Sequence, residues 1–200
     1  MRSFTFVLLG ACLLIAGCDD STVPLSDASK ASLDKQLVGL WKHDHQNGVT
    51  YYHVGLLGDN APEGVMRVVV VSRQNDGELQ QPSQLIAFRS DINGRSYLNL
   101  AGATQEKLTS IRENGWQADM LDSYILVKYR VEDDGLLLWA MDKEAKKKAI
   151  QDGKIKGEIK EGDGGTRVRF TDTTENLAKF VAAAGDGLFA DEPLRFKRVR

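Results

Sequence analysis

Apolar residues along most of this chain gather in short runs that alternate with polar ones or are dense in β-branched side chains. Val65–Arg73, VMRVVVVSR, is the densest. Leu85–Phe88, Ser96–Leu100, Ser123–Val131 and Leu136–Met141 follow, then Ile155–Ile159, Arg167–Thr171 and Leu194–Val199. Such runs predict strands, and the turn-rich QNDGE, DING, EDDG and EGDGG predict the breaks between them. In YILVKYRVEDDGLLLWAM, the residues Ile125, Val127, Tyr129 and Val131 share one parity, as one face of a half-buried strand requires.

Three segments follow a helical period instead. Gln105–Glu113 places Leu108 and Ile111 on one side and stops at Asn114-Gly115. Lys143–Gln151 follows Asp142, a candidate N-cap. Glu175–Ala184 lines up Leu177, Phe180, Val181 and Ala184, with Asp172 and Glu175 as a candidate capping box and Gly185 as the stop. Many antiparallel strands with few short helices predict a mainly β fold, an antiparallel barrel or a strongly curved sheet.

The first residues, MRSFTFVLLGACLLIAGCDD, break this pattern. One cation, Arg2, precedes an uncharged run to Gly17, and Asp19 and Asp20 follow. The layout is that of a secretory signal. It is shorter than the roughly 20 apolar residues that span a bilayer. Leu14-Ile15-Ala16-Gly17 before Cys18 resembles a bacterial lipobox. That resemblance implies cleavage between Gly17 and Cys18 and a diacylglyceryl group on the Cys18 thiol. A second acyl chain on the new amino terminus would make attachment to the bilayer stable. It also implies that Asp19 retains the protein at the inner membrane, facing the periplasm. The alternatives are a plain secreted protein with an incidental cysteine, and an uncleaved anchor.

The expected organisation is therefore a signal over 1–17, a lipidated cysteine with a flexible tether over 18–31, and one β-rich domain over 32–200. The stretch DDSTVPLSDASKA is small, polar and broken by Pro24. Extended at up to about 3.5 Å per residue, it would let the domain stand about 45 Å off the bilayer. Cys12 leaves with the signal and Cys18 carries lipid, so the 183-residue remainder has no free thiol and no disulfide. The net charge of −2 becomes −3 without Arg2. That weak field, and the compartment, argue against nucleic acid as a partner.

LVGLW, residues 37–41, resembles the Gly-x-Trp opening of lipocalins and their calycin relatives. The resemblance implies a helical turn at Ser32–Leu37 closing a barrel floor, Trp41 plugging it, and a late arginine packed across the tryptophan. The end LRFKRVR offers Arg195, Arg198 and Arg200; with Leu194 and Phe196 pointing inward, Arg198 shares their parity and is the choice. The Thr-Asp-Tyr motif of that superfamily is absent. TDT at 171–173 leads into a helix, and the last helix precedes the last strand. The whole chain also resembles small uncharacterised bacterial lipoproteins, a likeness that brings no activity.

All three histidines lie in WKHDHQNGVTYYH, residues 41–53. A two-residue turn at Asn47-Gly48 would pair His45 with Thr50, His43 with Tyr52 and Trp41 with Val54. His43 and His45 then share the Trp41 face, while His53 opposes Lys42 on the other. A three-residue loop would gather all three into a zinc or copper site. Tyr52, Val54 and Leu56 form the more apolar set and match Trp41 only in the first register, so no metal site is expected.

No nucleophile elbow, P-loop or H-E-x-x-H is present, and EGDGG leads into a strand rather than a helix. Neither an enzyme nor a cofactor is expected. The lysines of KEAKKKAI offer either contact with anionic headgroups or, the favoured reading, a solvated helix face. Trp116 is read as capping a core. Two function classes follow. One is a non-catalytic interaction or assembly module that holds an envelope protein near the membrane. The other is a carrier of an apolar small molecule, with Trp41 and Tyr52 lining its pocket. A carrier requires an interior too large for its own side chains to fill. A module requires a filled core and an exposed apolar patch.

Overall fold

The computed structural model describes residues 20–117, 119–162 and 165–200. The signal, Gly17, Cys18 and Asp19 lie outside the described residues. Seven strands run in sequence: β1 (Gly39–His45), β2 (Gly48–Leu56), β3 (Val65–Gln74), β4 (Ser83–Ile92), β5 (Arg95–Gly102), β6 (Ile125–Val131) and β7 (Gly135–Ala140). Each pairs antiparallel with the next. Helix α1 (Gln105–Asn114) bridges β5 and β6. After β7 the chain leaves the sheet for α2 (Lys143–Gln151), a separate hairpin of β8 (Gly157–Lys160) and β9 (Arg167–Phe170), and α3 (Thr174–Ala184). It returns as β10 (Leu194–Arg198), which pairs with both β7 and β1 and closes an eight-stranded barrel. Closure leaves the barrel itself without a sheet edge. The fold is mainly β and lipocalin-like, as the sequence pattern predicts. The excursion between β7 and β10 is its departure.

Alternation divides the buried residues into two cores. One parity faces the barrel interior, where Trp41, Met66, Leu98, Val127, Tyr129 and Phe196 meet. The other parity of β4, β5 and β6 supplies Ile86, Phe88, Tyr97 and Leu126 to an outer core. Leu177 and Val181 of α3, Ala149 of α2, and Phe170 cover it. From sequence alone, large residues such as Phe88, Tyr129, Trp139 and Phe170 read as inward positions that would fill the barrel; of these four only Tyr129 points inward, and Phe88, Trp139 and Phe170 belong to the outer core. The physical reason is the excursion, which gives the barrel's outer wall an apolar cover. Trp116 packs against the same core.

Residues 20–31 do not form a free tether. Ser21 bridges Tyr124 on one side and Phe170 on the other, so the segment stitches β6 to β9. Leu25 is 2% exposed, and its N–H donates to the Asn99 carboxamide oxygen at 2.7 Å. The Asn99 side chain in turn donates to Ser90 Oγ and to the Phe88 carbonyl, so the buried amide is satisfied at both ends. Asp27 caps a short turn over Ala28–Lys30. The polar composition hides four apolar residues, Val23, Leu25, Ala28 and Ala31, that pack on the outer core.

Of the two helix starts with an expected cap, one agrees, and so does the expected stop of α1. Asp142 accepts from the Ala145 N–H, and Gly115 ends α1 with φ +78 after a start capped by Thr104. At α3 the cap is Thr173, not Asp172. Asp172 sits one residue too early. It accepts instead from the Lys156 and Thr173 N–H groups and from the Asn176 side chain. Those hydrogen bonds, Asn176 first, hold its carboxyl below the usual range.

Candidate functional site

The floor of the barrel is built from LVGLW and Arg198. Asp34 caps the turn that enters it, accepting from the Gln36 N–H at 3.0 Å. Trp41 is 1% exposed, and its indole N–H donates to the Leu37 carbonyl at 2.7 Å. The Arg198 guanidinium lies 4.2 Å from the Trp41 ring centroid. It also donates to the Val38 carbonyl at 2.9 Å and to the Gln36 carbonyl. One cation thus covers the ring face and satisfies two carbonyls of the plug. Gly39 has to be glycine here: its φ is +137, and a Cβ would sit 2.7 Å from the guanidinium.

Above the floor the interior is nearly filled. A cavity of about 50 Å³ remains, lined by apolar side chains and Tyr52, among them Trp41, Met66, Ala87, Leu98 and Phe196. Small-molecule sites are typically about 300–1,000 Å³. Tyr52 packs edge-on to Phe196, ring centroids 5.2 Å apart, and burial pushes its phenol up to about 12.

The histidines sit at the opposite end. The β1–β2 turn is Gln46-Asn47, not Asn47-Gly48, so each pair is displaced by two residues: His43 faces Thr50 and Trp41 faces Tyr52. Gly48 is pulled into the ladder because β3 passes against it. A Cβ at Gly48 would lie 2.0 Å from the Arg73 carbonyl oxygen. A shift of two keeps every side chain on its expected face. His43 and His45 share the inward parity, with rings 6.1 Å apart, and His53 is exposed opposite Leu40, not Lys42. The His43 ring nitrogen Nδ1 bonds the Arg195 carbonyl, and His45 Nε2 lies 3.3 Å from Thr50 Oγ1. Burial, with His43 nearby, lowers the His45 pKa.

Beside the floor, a polar cleft of about 480 Å³ holds Arg89, Arg95, Lys128, Arg130 and Trp139. Lys128 Nζ lies 4.5 Å from the Trp139 centroid and 2.9 Å from Asp186, whose carboxyl it holds below the usual range. Tyr129, at the cleft wall, donates to Asp34 at 2.8 Å, and burial pushes its phenol up. Between α2 and α3 runs a groove of about 810 Å³, floored by Ala149, Ile155, Phe180 and Leu188. The large exposed apolar residues Leu56, Leu79 and Leu194 lie on β2, in the β3–β4 loop and on β10, and make no single patch.

The structure thus brings Trp41, Tyr52 and Arg198 together in one wall of the barrel. The sequence reading missed Lys128 and Trp139 as a cross-strand pair, although the parity of the β6–β7 hairpin placed them together. It also missed the ion pair of Asp20 with Lys146, both nearly fully buried. These elements define a closed, lipocalin-like antiparallel barrel with a plugged floor. Compared with known proteins, the chain matches no family model, no curated protein and no solved structure.

Proposed function

We propose that the protein is a lipid-anchored, periplasm-facing lipoprotein of the bacterial envelope whose barrel is a scaffold rather than a cup. It acts as a non-catalytic interaction or assembly module. The single observation that carries this reading is the interior: a cavity of about 50 Å³ cannot take a drug-sized ligand. The anchor rests on the lipobox-like Leu14–Cys18 run, and Asp19 favours the inner membrane. The apolar surface that a module calls for is offered by the α2–α3 groove, floored by Ala149, Ile155, Phe180 and Leu188, rather than by Leu56, Leu79 and Leu194. The cleft beside the floor, with Arg89, Arg95, Lys128 and Arg130 alongside Asp34 and Asp186, is a second surface for a partner.

Mass spectrometry of the full chain made in a Gram-negative bacterium tests both halves. The intact mass is expected to carry a diacylglyceryl adduct that Cys18→Ser abolishes. The native mass is expected to show no apolar ligand once detergent is removed. A lipid mass released on denaturation from a Cys18→Ser chain would establish a carrier instead. A metal-sized adduct lost on His43→Ala would establish a histidine site.

A further inference from the structure

The buried start of the described chain bears on how the protein meets its membrane. Asp20 is 5% exposed. Its carboxylate accepts from the Leu126 N–H at 3.0 Å and pairs with Lys146 of α2. Its N–H donates to the Tyr124 carbonyl and its own carbonyl accepts from Phe170, both at 2.8 Å. Four contacts to β6, β9 and α2 therefore fix this residue to the body. Cys18 is only two residues earlier, so chain geometry holds its Cα within about 7 Å of the Asp20 Cα. An acyl chain on Cys18 would leave the domain no length on which to stand off or tumble.

The surface beside Asp20 has the charge for such a position. At 100° per residue, Lys143 and Lys147 lie about 40° from each other on one face of α2, turned about 60–100° from the buried Lys146. Lys143 is exposed and has no ion-pair partner among the described residues; Lys147 pairs loosely with Glu161 at 3.8 Å. Over residues 142–156 the sequence carries five lysines besides Lys146, against Asp142, Glu144 and Asp152. We infer that the Lys143–Lys147 face of α2 lies against the anionic headgroups of the bilayer that holds the anchor, and that the Asp20–Lys146 pair fixes this orientation. The barrel floor and its cleft are then presented at a set angle to the membrane. This inference rests on the lipid-anchor reading above.

The test uses the full lipidated chain with one added cysteine, Lys143→Cys or Glu78→Cys, the latter in the exposed β3–β4 turn. With Cys18 acylated, the added thiol alone takes an environment-sensitive fluorophore. The proteins are reconstituted in phosphatidylethanolamine vesicles containing phosphatidylglycerol and spin-labelled headgroups. Quenching is expected to be several-fold stronger at position 143 than at 78. A flexible Gly-Ser insertion between Asp19 and Asp20 is expected to bring the two positions together. Equal quenching without the insertion, or a 143 signal unchanged by it, would overturn the inference. An intact mass lacking lipid on Cys18 would remove the anchor and this orientation with it, and the mass would identify which premise failed.

Discussion

The Arg198 guanidinium stacks on Trp41 at 4.2 Å while donating to the carbonyl of Val38, the residue that directly follows the turn at the floor. A residue from the last strand thereby locks the first. Removing it as Arg198→Ala loses the stacking and leaves two floor carbonyls without their donor. The expected loss is about 1–3 kcal/mol in urea unfolding. Arg198→Lys should recover only a small part, because an ammonium lacks the planar fork that covers the ring and reaches both carbonyls. Full recovery by lysine would show that charge alone suffices.

Asp20 and Lys146 form a buried pair at 7% side-chain exposure each. Lys146→Met leaves the carboxylate buried without its cation and is expected to cost about 3–5 kcal/mol. Combining it with Asp20→Asn should return much of that, because a neutral amide no longer needs the ammonium. Strictly additive losses in this double-mutant cycle would mean the two side chains are not coupled.

Stability should fall at alkaline pH. Burial pushes the phenols of Tyr52 and Tyr124 up to about 12 and raises Tyr97 and Tyr129 as well. Each folded-state pKa is above the unfolded value near 10, so the protonated phenol favours the fold. The contribution is complete below about pH 10 and is lost as the pH rises through the folded values. In that window each phenol removes up to about 1.4 kcal/mol per pH unit. Urea midpoints taken from pH 8 to 11.5 should drop, and Tyr52→Phe should flatten the drop. An unchanged slope would exclude Tyr52 as a contributor.

The interior should answer to volume in both directions. Ala87→Val points into the small residual cavity and is expected to be neutral to about 1.5 kcal/mol stabilising. Leu98→Ala should cost about 2–5 kcal/mol by enlarging it. Calorimetric or urea unfolding separates these outcomes. A large penalty for Ala87→Val would show that the space is already taken up by motion of its neighbours.

Residues that act locally were legible in the sequence. The alternation in 125–131 and the Asn-Gly signal near 47 place the hairpins, and parity sets Arg198 apart from Arg195, though not from Arg200. The face of each histidine survives a two-residue error in the turn, because sheet periodicity is two. What could not be read were relationships between distant segments. Nothing in DDSTVPLSDASKA announces that Leu25 will meet Asn99, or Asp20 Lys146, since those partners lie 74 and 126 residues away. Likewise, Phe88 and Phe170 look like barrel-filling residues until the excursion after β7 supplies a second layer for them.

That excursion also sets an order of assembly. The strand that pairs with β1 is β10, which joins Trp41 to Arg198 across nearly the whole described chain. Neighbouring strands of the meander need only short loops to find each other, but the last seam must wait until residues 194–198 exist and the helices between have folded out of its way. Until then β1 and β7 are open edges, each a template for a stray strand. Folding of this barrel is thus a race between its final staple and aggregation, and a chaperone that shields those two edges would be acting at the point of greatest exposure.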